Sequence, residues 1–152
     1  MISGVALLLL GATLLHLDAV VERNRKWVSK RFGDISVDKI ILADSSLPLF
    51  SSPGVCQYAL VSLGDDAPVS PVSGFPDNNS GPWQPGPSPW GSDRSSDTSS
   101  LWSCRIMNVS QDAFDIAGDL ADDTEVWWLV TGNGGYLYST KRNLAFMFYF
   151  PD

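Results

Sequence analysis

The chain has 152 residues, with 17 Asp and Glu against 10 Lys and Arg and a formal charge of −7. At 44% hydrophobic and 18% charged it is neither disordered throughout nor a polytopic membrane protein, and its length allows one domain with a sizeable core. The acidic balance argues against nucleic acid as the main ligand, because affinity for phosphates comes largely from Lys and Arg.

The charge is unevenly distributed. Residues 1–31 hold five basic and two acidic residues, a balance of +3, whereas residues 32–152 hold the other five basics and 15 acids, a balance of −10. A basic, apolar N-terminal segment is therefore joined to a strongly acidic body.

Met1 to Val21 is apolar apart from Ser3, Thr13, His16 and Asp18. Its most apolar stretch, Gly4–Leu15, is shorter than the roughly 20 residues that cross a bilayer, but continuation through His16 and Asp18 reaches spanning length. Three readings fit: a single membrane anchor, a cleaved signal peptide, and a buried helix. The spanning arithmetic favours the anchor. No Lys or Arg precedes the apolar run and no small-x-small cleavage site follows it, which counts against the signal peptide. For an anchor, the basic flank Arg23, Arg25, Lys26, Lys30 and Arg31 predicts a cytoplasmic body, with Trp27 at the interface. Glu22 and Lys26 stand at i,i+4 spacing, as a solvated helix end also would. Gly4, Gly11 and Asp18 share a helix face, a weak packing stripe without a true GxxxG.

From Asp34 the pattern turns to strands. Ile35 to Leu42 predicts one, and Val55–Leu63 (VCQYALVSL) a second, rich in β-branched and aromatic residues. Residues 64–100 differ in kind: 37 residues with seven prolines, five glycines and nine serines. Such a stretch has no period and little to bury, so it predicts a long exposed loop, partly polyproline II. Trp83 and Trp90 are unusual there. They either pin the loop to the fold or dock a partner. The PxxP matches in this stretch, and the N-x-S matches at Asn78 and Asn108, are frequent by chance.

Leu101–Val109 predicts a strand, then Ser110 caps a short helix over Gln111–Ala121 with Ala113, Phe114, Ala117 and Leu120 on one face. Glu125–Thr131 predicts a further strand. Gly132-Asn133-Gly134-Gly135 follows as a hairpin turn of residues able to take positive φ. Tyr136–Thr140 returns, Lys141-Arg142-Asn143 turns again, and Leu144–Phe150 (LAFMFYF) closes a three-strand meander. Its apolarity on both faces predicts a strand that is central or covered on both sides.

The expected fold class is α+β: an N-terminal hydrophobic helix, read as transmembrane, then an antiparallel sheet of about five or six strands with one short helix. The organisation is residues 1–31 as anchor with basic flank and 34–152 as a single domain interrupted by loop 64–100.

His16 is the only histidine and sits in the apolar segment, so a Ser-His-Asp or Cys-His mechanism in the body is excluded, as is a His-rich zinc site. Cys56 and Cys104 are the only cysteines. Paired, they would close a loop of about 50 residues and require an oxidising compartment, against the orientation implied by the basic flank. Unpaired, they are two buried thiols; no CxxC spacing supports a metal or redox pair. Asp112, Asp115 and Asp119 share a helix face that could present carboxylates to Ca²⁺ or Mg²⁺, but no EF-hand spacing is present, and a solvated acidic face is the simpler reading. TGNGG (Thr131–Gly135) lacks the ending of a phosphate loop.

These features call for no cofactor, no metal and no catalytic residue. The leading expectation is a non-enzymatic, single-pass small binding or inhibitory protein, of the toxin-neutralising kind for example. Its acidic body would engage a basic protein partner through Asp112, Asp115, Asp119, Trp83 and Trp90, with the membrane held through residues 1–21. The alternatives are an accessory or assembly subunit of a membrane complex held by the N-terminal helix, and a carboxylate-based enzyme.

Overall fold

The computed structural model describes residues 20–33, 35–44, 56–71, 82–91 and 111–150. Within them an antiparallel sheet of six strands carries a helix on each face. The strands are β1 (Val37–Asp44), β2 (Gln57–Leu63), β3 (Gln84–Pro85), β4 (Trp127–Thr131), β5 (Gly134–Ser139) and β6 (Leu144–Tyr149). Helix α1 runs through residues 20–32 and α2 is Gln111–Ala121. The sheet order is β1-β2-β6-β5-β4-β3, and every neighbouring pair is antiparallel.

The last strand in sequence is thus central in space. β6 pairs with β2 from Gln57↔Tyr149 to Ser62↔Leu144 and with β5 from Gly134↔Tyr149 to Ser139↔Leu144. Because side chains alternate across a strand, Phe146 and Phe148 enter one core and Ala145 and Met147 the other. The first core also takes Tyr58, Leu60, Trp90, Leu137 and the α2 residues Ala117, Leu120 and Ala121. The second takes Ala59, Val61, Tyr136, Tyr138 and, from α1 and its exit, Val28, Phe32 and Ile35. Each large side chain so buried stabilises the fold by about 1.5–3 kcal/mol relative to exposure, which is why this strand is apolar throughout.

Local chemistry sets the element ends. Gly33, at φ 58°, follows α1 in the left-handed region, and its N–H donates to the Ser29 carbonyl at 3.1 Å, a C-terminal cap for which glycine is the unstrained choice. Asn143, at φ 54°, closes the β5–β6 turn with its N–H donating to the Thr140 carbonyl at 3.1 Å. The β4–β5 corner is the pair Gly132-Asn133 between Thr131 and Gly134, and the Asn133 carbonyl accepts the Phe150 N–H at 2.7 Å. Left-handed residues among those described are Gly33, Gly86 and Asn143, so this corner does not use the positive φ its residues permit.

Two expectations change. The sheet is covered by two helices rather than one, because the basic flank packs on it as a helix whose Val28 and Phe32 belong to the core. The Pro-rich stretch is not exposed throughout. Gln84 and Pro85 pair with Trp128 and Trp127, the Gly86 N–H donates to Val126, and the Ser88 N–H donates to the Ala121 carbonyl at the end of α2. Its tryptophans supply the apolar surface that its prolines and serines lack. Among the described residues no helix is long and apolar enough to cross a membrane. The anchor assigned to residues 1–21 lies outside the described residues except for Val20 and Val21, as does the strand expected over Leu101–Val109.

Candidate functional site

The two helices place opposite charges on opposite faces. α1 turns Val28 and Phe32 to the sheet, leaving Arg23, Arg25, Lys26 and Lys30 exposed, with Lys26 paired to Glu22 at 3.5 Å. α2 turns Ala117, Leu120 and Ala121 inward, leaving Asp112, Asp115 and Asp119 exposed on the other side of the sheet. Their i, i+3, i+7 spacing stacks the three carboxylates along one helix face. Gln111 donates through Nε2 to Asp115 at 2.6 Å. Among the described residues, no cation pairs with these three.

The rest of the acidic run behaves differently. Asp123 leaves α2 and accepts the Glu125 N–H at 2.9 Å and the Arg142 Nε at 2.8 Å. First the backbone hydrogen bond and then the guanidinium hold its carboxyl below the usual carboxylate range. Lys141 pairs with Glu125, which raises the ammonium pKa. The β5–β6 turn therefore returns two cations to residues 123–125, and the uncompensated acidity stays on α2. Among the described residues no group of three His, Cys, Asp or Glu side chains could hold a metal ion.

The tryptophans are elsewhere. Trp90 is 2% exposed, meeting Phe148 edge-on with ring centroids 5.0 Å apart and Trp128 at 6.2 Å. So buried, it offers a partner no surface. Trp83 is half-buried on the α1 side, its ring 6.4 Å from that of Tyr136 and 6.3 Å from that of Tyr138. The five residues expected to bind a partner thus do not form one surface: three are on the outside of α2, one is beneath it, and one is across the sheet.

Cys56 sits just before β2, 5% exposed, and is disulfide-bonded. No free cysteine stands among the described residues, so the reading of two buried thiols is overturned. Cys104 lies outside the described residues.

One further feature leaves little trace in the sequence. Between α1 and the edge strand β1 lies a cavity of about 780 Å³, walled by Val21, Val28, Phe32, Val37, Ile41 and Ala43. Asn24 bridges it by donating through Nδ2 to the Ala43 carbonyl at 3.1 Å, and Arg25, Asp38 and Lys39 border it. Val21 and Ile41 remain 60% and 41% exposed. The helical period of Val21, Val28 and Phe32 is the available signal, obscured by the five basic residues interleaved with it. The lining combines these apolar walls with the charged side chains of Arg25, Asp38 and Lys39.

The chain matches no family model, no curated protein and no solved structure.

Proposed function

We propose that the protein is a non-enzymatic, membrane-anchored binding protein whose acidic α2 face engages a basic surface on a partner protein. The single observation carrying this reading is the segregation of charge across the sheet, with Arg23, Arg25, Lys26 and Lys30 outward on α1 and Asp112, Asp115 and Asp119 outward on α2. The basic layer follows directly on the apolar segment 1–21 in the chain, so an anchor formed by that segment would hold α1 beside the membrane surface and leave α2 facing away. Carboxylates concentrated on one face, with no cation beside them among the described residues, would speed encounter with a basic partner and orient it.

The test is capture of partners by the full-length chain in mild detergent, followed by titration of the identified partner at increasing salt. The expected outcome is a basic partner whose affinity falls as salt rises, and falls again, about tenfold or more, when Asp112, Asp115 and Asp119 are together replaced by Asn. Binding indifferent to both salt and the triple substitution would sink the reading.

A further inference from the structure

Cys56 is disulfide-bonded and buried at the head of β2, the strand that pairs with the central strand β6. The chain holds one other cysteine, Cys104, 48 positions along the sequence and beyond the Pro-rich stretch. We infer that Cys104 is the partner of Cys56, and that the body therefore folds and resides in an oxidising, extracytoplasmic compartment. This stands apart from the binding reading and survives or fails without it.

Two independent observations bear on the compartment. The first is the bond itself. Outside hyperthermophiles, stable structural disulfides are rare where glutathione and thioredoxin keep thiols reduced, and a half-cystine packed with Tyr58, Leu60, Trp90 and Phe148 is shielded from the attacking thiolate that would reopen it. The second concerns the opposing signal. The basic flank, read as a short loop beside a membrane span, implies a cytoplasmic body. In the fold part of that flank is built into the domain: Val28 and Phe32, interleaved with it, are core, and the Arg31 guanidinium lies 4.2 Å from the centroid of the Tyr149 ring, while Arg23, Arg25, Lys26 and Lys30 stay exposed. Basic residues this close to a span still bias its orientation, and a formed disulfide in the body overrides that bias.

The bond forms by thiol–disulfide exchange. The Cys56 and Cys104 thiols attack a disulfide of an oxidoreductase or a low-molecular-weight thiol of that compartment. The new S–S bond replaces the old one, and the oxidant leaves as two thiols carrying the two protons and two electrons.

The test uses the full chain in cells of its own source, quenched with acid and alkylated with a polyethylene-glycol maleimide in denaturant. The expected result is no addition before reduction and two additions after it. Two additions before reduction overturn the inference. Cys104→Ser should free one thiol, giving a single addition without reduction. If Cys56 stays blocked in that variant, its partner is another molecule and the assignment fails. The compartment is read separately with protease, on sealed cells stripped of any wall or outer membrane and on the same cells with the plasma membrane alone opened: digestion of the body in the first, or protection in both, is expected, and digestion only once the plasma membrane is opened overturns the location.

Discussion

Gly135 on β5 and Trp90 in the Pro-rich stretch occupy a single place in the core: the indole lies where a side chain at 135 would stand, and a Cβ there would overlap the ring. By local sequence the glycine belongs to a turn, yet it sits within the paired strand opposite Phe148. It is what lets a residue 45 positions earlier in the chain pack flat on the sheet. Gly135→Ala forces the Trp90 ring to move and is expected to cost about 1–3 kcal/mol, the range for overpacking a filled core. Trp90→Ala is expected to cost about 3–5 kcal/mol. Urea unfolding followed by circular dichroism measures both. If the packing is shared, the double variant is less destabilised than the sum of the two single variants.

The two tyrosines of β5 tie the sheet to its surroundings by different bonds. Tyr136 donates to the Arg31 carbonyl at 3.2 Å, near the end of α1, and Tyr138 donates to the Pro68 carbonyl after β2. Tyr136→Phe keeps the ring in the core and leaves a carbonyl near the helix end without that donor. A loss of about 0.5–1.5 kcal/mol is expected, with faster amide exchange at the last turn of α1 and little change in α2. Equal exchange changes in both helices would show that the bond does not act locally.

Asp123 gives a pH dependence whose sign is set by its environment. Its folded pKa lies below that of the unfolded chain, so its contribution is fully present above the ordinary Asp range near 4 and is lost as pH falls through the lower, folded value. Its side chain is 11% exposed but that of Arg142 is 41% exposed, so solvent screening limits the pair to about 0.5–1 kcal/mol. Asp123→Asn should therefore be less stable than the parent at pH 7, with the gap closing below about pH 4. A gap that persists unchanged to pH 2 would assign the loss to shape rather than charge.

The cap of α1 is a further point of sensitivity. Gly33→Ala places a Cβ on a residue at φ 58° and should cost about 1 kcal/mol. Gly33→Asn, which tolerates that conformation better, should recover part of the loss in the same unfolding measurement.

Much of the body was legible in the residues. Helix α2 runs over the Gln111–Ala121 span expected from its cap and apolar face, and the meander β4-β5-β6 follows the alternation of apolar runs and Gly/Asn turns. The apolarity of Leu144–Tyr149 on both faces implied cover on both sides, which the two cores supply. These features rest on short-range chemistry: capping, periodicity and turn propensity act within a few residues. The candidate site was less legible. Asp112, Asp115 and Asp119 could be placed on one helix face by spacing alone, but the neutralisation of Asp123 and Glu125 required Arg142 and Lys141 to fold back across a turn. The role of Trp83 and Trp90 was open because local composition argued for an exposed loop, while the partners that overrule it stand more than 35 residues away.

Residue identity and short-range period are enough for the acidic helix face, the meander, the absence of a histidine from the body and the presence of two cysteines. Each follows from residue identity or from a period that a single element carries. Long-range packing sets the rest: β6 enters between β2 and β5, the basic flank is a packed helix, and basic and acidic layers take opposite faces of one sheet. Which strands pair, and which face a helix covers, depends on burying both sides of the sheet at once, and that condition belongs to the whole chain rather than to any segment of it.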